Sequence, residues 1–143
     1  MEINIRKVTI DDAVVVMLLS HQLGYPLTID EIKLNISAIL KSKHHTAYVA
    51  ENNGQVVGWI GAAQAIMIEA ISFCEINGLV IDKDHQGKGI GKRLIERVKQ
   101  WAKEQGNKKV SLRCNVKRIE THEFYKHLGF KDLKQQTNFV LDL

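Results

Sequence analysis

Proline is almost absent: the one residue, Pro26, stands in Gly24-Tyr25-Pro26. With ten glycines and no low-complexity run, no stretch reads as a linker, and nothing repeats at a fixed period. A chain of 143 residues, 45% hydrophobic and 25% charged, is therefore expected to form a single domain over residues 1–143 with one core. Long apolar runs are also missing. The longest, Ala13 to Leu19, is too short to span a bilayer, and Met1-Glu2-Ile3-Asn4-Ile5-Arg6-Lys7 lacks the apolar centre of a signal peptide. The expected location is the cytoplasm, with no membrane partner. The two cysteines, Cys74 and Cys114, have no second pair to complete a metal-ligand set and are expected to be reduced core residues. Aromatic residues make up only 6% of the chain, leaving few stacking platforms. The net charge is +4, yet Lys and Arg are spread over most of the sequence and no nucleic-acid motif is present. No nucleic-acid partner is expected; a small anionic ligand accounts for the charge equally well.

What is there is a succession of short periodic segments. Glu2 to Val8 alternates as a half-buried strand. Thr9 offers a cap, and Asp11 and Asp12 fall in the first turn of a helix that ends near Gly24. Thr28 with Glu31 forms a capping box for a second helix through Leu40. Ala47-Tyr48-Val49-Ala50 reads as a strand stopped by Asn52-Asn53-Gly54, with Gln55 to Gln64 as its antiparallel hairpin partner. Ser72 to Ile81 is a third apolar strand. From Gly87 the period becomes helical, with Ile90, Leu94, Ile95, Val98 and Trp101 on one face and Gly106 closing the helix. Lys108 to Cys114 follows as a strand placed parallel to the one before the helix. Arg118 to Leu128 is a short helix, and Thr137 to Leu143 a terminal strand by its Phe139-Val140-Leu141 content. The order predicts an α/β fold, a mixed and mostly antiparallel sheet with a parallel pair near its centre.

The segment richest in chemistry is Leu79-Val80-Ile81-Asp82-Lys83-Asp84-His85-Gln86-Gly87-Lys88-Gly89-Ile90-Gly91-Lys92-Arg93-Leu94, a buried strand delivered into a glycine-rich turn at a helix start. The first amides of a helix have no intrahelical acceptor, and the macrodipole places positive potential there, so such a turn collects anions. Glycines at 87, 89 and 91 let backbone approach a ligand, and Lys88, Lys92 and Arg93 add charge. A dinucleotide G-x-G-x-x-G would need glycine where Lys92 or Leu94 stands, and the Walker spacing is absent. The glycines also suit tight strand–helix packing. The pair His44-His45 points to opposite faces of a strand and has no third ligand at suitable spacing, so no metal is expected. Trp59 and Trp101 read as core or groove-wall residues.

Gln86-Gly87-Lys88-Gly89-Ile90-Gly91 resembles the Gln/Arg-x-x-Gly-x-Gly/Ala signature of the GCN5-related N-acetyltransferases. Leu79-Val80-Ile81 is similar to the strand that precedes it in that family. Asn115 to Phe130 resembles the family's Asn…Ala-x-x-Phe-Tyr-x-x-x-Gly-Phe segment, with Thr121 where alanine is common. Two motifs in this order, over about residues 75 to 130, carry the resemblance; the N-terminal half matches in outline only.

The resemblance implies a single-domain fold with helices on both faces of the sheet, and an acetyl-CoA-dependent transfer of acetyl to a primary amine by direct attack in a ternary complex. It assigns cofactor binding to Leu79, Val80, Ile81, Gln86, Gly87, Lys88, Gly89, Ile90, Gly91, Lys92 and Asn115. It makes Tyr125 the acid that protonates the leaving thiolate, and gives Val80 or its neighbour a backbone N–H for the oxyanion. Glu75, by position on the strand, is the best placed carboxylate for general base. Each residue has a plainer reading: Tyr125 packs its ring beside Phe124 and Phe130, Glu75 is a solvated strand charge, Asn115 ends a strand. Arg118 and His122, one turn apart, are expected at the surface.

The acceptor, expected to be a small-molecule amine, falls to the N-terminal helices and the Gly24-Tyr25-Pro26 loop, the part of the chain not committed to coenzyme A. Asp11, Asp12, Asp30, Glu31 and Glu69 are the carboxylates available to a cation, although two of these also serve as helix-start residues. His21 to Pro26 taken with Arg118 to Tyr125 resembles a branch labelled aminoglycoside 6'-acetyltransferase-like. A non-catalytic acyl-CoA sensor and an enzyme acting on a protein amine are the alternatives. A homodimer through Asn138 to Leu143 would leave no exposed strand edge.

Overall fold

A computed structural model describes residues 2–114 and 116–143. It divides into two compact units, Met1–Leu112 and Arg113–Leu143. The first holds a five-stranded sheet of order β1-β2-β3-β4-β5, made of β1 (Ile3–Lys7), β2 (His45–Asn52), β3 (Gln55–Met67), β4 (Ala70–Ile81) and β5 (Val110–Leu112). Three neighbouring pairs are antiparallel, and β5 runs parallel to β4. Helices α1 (Ala13–His21), α2 (Ile29–Lys41) and α3 (Ile90–Glu104) complete this unit.

Local chemistry sets several of these boundaries. Thr28 Oγ1 accepts the Glu31 N–H (3.2 Å) while Glu31 Oε1 accepts the Thr28 N–H (3.0 Å), the reciprocal pair that starts α2. Asn53 (φ 52°) and Gly54 (φ 81°) both take the left-handed conformation that a two-residue hairpin needs between β2 and β3. The reading of a helix opened by Asp11 and Asp12 changes in detail: Ile10–Asp12 is a 3₁₀ turn, and α1 follows it. Asp12 is buried, and its carboxylate accepts two bonds from the Arg6 guanidinium (2.8 Å each) and one from the Thr9 N–H (2.8 Å). Arg6 also pairs with Glu51 of β2. Burial alone would raise the Asp12 pKa, but the bonds from Arg6 and Thr9 outweigh it and hold the group below the usual carboxylate value.

The two faces of the sheet carry different helices. Val16, Leu19, Ile32 and Ile36 of α1 and α2 form one core with Val49, Val56 and Val80, with Trp59 packed at its margin. On α3 the buried stripe is Ile90, Leu94, Ile95, Val98, Trp101 and Ala102, and the Arg97 guanidinium lies 4.5 Å from the ring centroid of Tyr48.

Strand β4 is longer than the sequence suggests and is broken by a bulge. Gly61 pairs with Gly78 and Ala62 with Ile76, so Asn77 is an extra residue. Cys74, Ile76 and Val80 are all buried and would share a face in an unbroken strand, yet only Val80 joins the α1/α2 core. At Gly78 an added Cβ would stand 2.6 Å from Cη2 and 2.7 Å from Cζ3 of Trp59. Gly78→Ala is therefore expected to displace the indole and lower stability by about 1–2 kcal/mol, read as a lower denaturant midpoint with an unchanged m value.

The second unit contains α4 (Ile119–His127), and residues 128–143 form neither helix nor strand. The terminal strand expected at Thr137 to Leu143 is thus not formed: Phe139, Val140 and Leu141 are 89%, 81% and 84% exposed. Strand propensity describes fit to a pleated surface, and a strand needs a neighbour to complete its hydrogen bonds. Without a strand after β5, the parallel pair stands at the edge of the five-stranded sheet rather than near its centre. No helix among the described residues is long and apolar enough to cross a membrane.

Candidate active site

The glycine-rich turn is built as an anion cradle. A short 3₁₀ turn, Lys83–His85, leaves the end of β4 and leads to Gln86, whose Nε2 donates to Ile81 O (3.4 Å). Gly87 (φ 76°) and Gly89 (φ 79°) are both left-handed, and an added Cβ would meet nothing within 4 Å at either, so glycine is required there by the backbone and not by packing. Gly89 caps α3, and the Arg93 N–H donating to Gly89 O (3.2 Å) is the first bond of the helical ladder. The amides of Ile90, Gly91 and Lys92 consequently precede that ladder. Lys88, Lys92 and Arg93 are exposed beside them, whereas Ile90 is buried and anchors the helix start. The tight-packing explanation of the glycines gains no support at positions 87 and 89.

Leu79, Val80 and Ile81 pair with Ile60, Trp59 and Gly58 of β3. The ladder from β4 to β5 covers only Cys74 to Ile76. Among the described residues β4 therefore continues past the bulge with strand pairing on one edge. The other edge is the kind of backbone with which an extended amide-bearing ligand forms hydrogen bonds. These two features, orphan amides and a one-sided strand, fit a pyrophosphate joined to a pantetheine arm.

Glu75 is half-buried and pairs in register with Ala63 and Ser111. Its neighbour Cys74 is fully buried, and burial pushes the thiol pKa up to about 11, which makes it an inert core residue. Tyr125 belongs to the second unit. Its ring is held between Phe124 (centroids 5.2 Å apart) and Phe130 (5.8 Å). Burial raises the pKa of its phenol, the negative potential of Cys114 adds to that, and Arg118 opposes it. In that unit Arg118 is exposed and His122 half-buried. Asn115 lies outside the described residues.

An open cleft of about 360 Å³ lies at the α1–α2 connection, lined by Met17, His21, Gly24, Tyr25, Pro26, Leu27 and Thr28. Of the carboxylates set aside for a cationic acceptor, Asp12 is engaged by Arg6 and Glu31 by Thr28, so both serve helix starts. His45 has its Nδ1 2.8 Å from Ser42 Oγ. The sequence reading passed over Gln22, which joins the end of α1 to Asp82 and Lys83; an isolated polar residue at a helix end carries no pattern that would have marked it.

The model of the acetyltransferase (GNAT) family matches residues 16–130. An uncharacterized N-acetyltransferase of Methanocaldococcus jannaschii is 33% identical over 96 residues, 66% of this chain and 42% of that protein. The chain thus spans less than half the length of that relative. The aminoalkylphosphonate N-acetyltransferase of Salmonella typhimurium is 28% identical over 120 residues, 83% of this chain and 75% of that protein. Among solved structures, an aminoglycoside N-acetyltransferase AAC(6')-Iy in complex with CoA superposes with a TM-score of 0.88 at 16% identity, covering 99% of this chain and 96% of that one. That likeness concerns the fold.

Proposed function

Because the chain belongs to the acetyltransferase (GNAT) family, we propose that it transfers an acetyl group from acetyl-CoA to the primary amine of a small molecule. The observation that carries this reading is the left-handed Gly87 and Gly89 turn delivering orphan amides at the end of a strand paired on one edge. Gln86 to Lys92 hold the pyrophosphate, and Leu79 to Ile81 line the pantetheine arm. Asn115 is assigned to the same arm.

Acetyl-CoA supplies the thioester that an uncharged amine attacks. The chain's own task is to bring the two together and to handle protons. Tyr125, with its phenol held protonated by burial, is the proton donor for the leaving thiolate. Glu75, on the strand that carries the cofactor residues, accepts the proton from the amine, directly or through water. A backbone N–H at Val80 or its neighbour supports the oxyanion. The cleft at the α1–α2 connection receives the acceptor, a choice supported by its apolar wall of Met17, Tyr25, Pro26 and Leu27. A homodimer in which the exposed Phe139-Val140-Leu141 segment pairs with a second copy accounts for apolar side chains otherwise left in water.

The test is thermal unfolding with and without acetyl-CoA, followed by thiol release across a panel of amines. At a ligand concentration about a hundred times Kd, binding to the native state adds about 2.7 kcal/mol, an upward midpoint shift of several degrees. Release with one small amine establishes the reaction and its substrate class. Release only with a peptide amine replaces the acceptor assignment. Stabilisation without release favours a sensor, and no stabilisation at saturation removes the cofactor reading.

A further inference from the structure

One side chain joins the end of α1, beside the cleft, to the turn that leads into the anion cradle. Gln22, the C-terminal cap residue of α1, donates through Nε2 to Asp82 Oδ1 (2.9 Å) and accepts the Lys83 N–H on Oε1 (3.1 Å). Both ends of the amide are thus engaged, across sixty residues of sequence. The second oxygen of Asp82 lies 2.7 Å from His85 Nδ1, and His85 is followed directly by Gln86 and Gly87. The backbone of Asp82 is fixed in turn, its N–H donating to Val57 O (2.8 Å) and its carbonyl accepting the His85 N–H (2.9 Å).

At the other end, Gln22 adjoins the wall of the cleft. The Tyr25 N–H donates to Ser20 O (3.2 Å), and His21 Nε2 lies 3.0 Å from Leu27 O. A short path therefore runs from the turn at residues 86–91 through His85, Asp82 and Gln22 to the loop at residues 21–28. The bonds to Gln22 and His85, in that order of size, hold the Asp82 carboxyl below its usual range, so it is a charged acceptor at neutral pH. Gln22 itself is exposed and buries little apolar surface. Its bonds add little to the core but fix the spacing of two loops.

We propose that Gln22 is a positioning residue that transmits occupancy of the cradle to the acceptor loop. The proposal rests on the reading of the 86–91 turn as the coenzyme A site. A phosphate bound by that turn restrains Lys83–His85, which steadies the Asp82 carboxylate and, through Gln22, the end of α1 and the loop after it. Order imposed on that loop by the first ligand need not be imposed again by the second, so the amine binds the cofactor complex more tightly than the free protein. Two solvent-exposed hydrogen bonds transmit a coupling of about three- to tenfold.

Amide hydrogen exchange on the full chain, with and without CoA as the probe, tests this. In the wild type, CoA is expected to slow exchange at 86–92 and also at 22–28, the latter by about three- to tenfold. In Gln22→Met, which keeps the reach of the side chain but has no amide, slowing at 86–92 persists and slowing at 22–28 disappears. Gln22→Ala serves as a second variant should Met pack differently, and a thermal melt of each confirms the fold. Slowing at 86–92 with none at 22–28 in the wild type would overturn the coupling while leaving the cofactor reading intact. So would a variant that exchanges faster at 22–28 without ligand yet keeps the same fold slowing on CoA, the mark of a merely structural role. No slowing at 86–92 with CoA at saturation overturns the cofactor reading, and the coupling with it.

Discussion

Tyr125→Phe is expected to lower kcat about a hundredfold while acetyl-CoA affinity stays within about twofold, because general acid catalysis contributes at least that factor. The substitution separates the proposed acid from the packing that the structure shows. A ring wedged between Phe124 and Phe130 packs equally well without its hydroxyl. If packing were its whole purpose, the Phe variant would turn over at the wild-type rate. The pH profile gives an independent check. As the proposed acid the phenol acts in its protonated form, and its pKa is raised above the ordinary value of about 10. Loss of the acid through its ionisation therefore comes only above pH about 10. A wild-type rate that falls with an apparent pKa near 8 would assign the alkaline limb to another group. Steady-state kinetics of thiol release between pH 7 and 10.5 makes both measurements.

The second large effect belongs to the cradle. Placing Ala at both Gly87 and Gly89 puts a Cβ on two residues at φ 76° and 79°. Each left-handed alanine costs about 1–2 kcal/mol. Neither new methyl group meets a neighbour, so the cost is backbone strain alone, which the exposed turn relieves by leaving the left-handed conformation. Binding must then restore the strained conformation, and the cost appears in affinity. Acetyl-CoA binding to Gly87→Ala/Gly89→Ala is expected to weaken about a hundredfold, with the melting midpoint of the free protein nearly unchanged. Calorimetric titration with acetyl-CoA and a melt of the free variant provide the two numbers. Equal affinity would mean that the amides of this turn do not hold the ligand in the conformation described.

Where the sequence proved readable, the information was local. The capping pair of Thr28 and Glu31, the turn at Asn53 and Gly54 and the glycines before α3 each need only a few consecutive residues, and each stands where expected. The α3 stripe follows from the helical period alone, and the parallel placement of β5 from the handed connection rule. What the sequence hid depends on partners far along the chain. Asn77 is a bulge only because Gly61 and Ala62 face Gly78 and Ile76. Gln22 matters only because Asp82 comes to meet it. The error at Thr137 to Leu143 has the same origin: Phe139-Val140-Leu141 has the composition of a strand, but composition does not supply the neighbour. For the site, Leu79 to Ile81 end a strand and Gln86 to Lys92 form the turn and helix start after it, while Asp12 and Glu31, offered for an acceptor, are committed to local structure.

The bulge in β4 bears on what kinds of change this strand can absorb. Asn77 is exposed, and its Oδ1 would lie 2.8 Å from a Cβ at Gly61, so most exchanges of its side chain disturb only a surface contact. Its loss would leave Gly78 opposite Gly61 and Ile76 opposite Ala62 in an unbroken ladder, with Val80 still opposite Trp59 on its core face, whereas drawing Asn77 into the ladder as a paired residue would turn one arm of the strand over. Residue 77 is thus a position at which β4 can change its number of residues without exchanging its faces, a slack in length that the paired residues on either side lack.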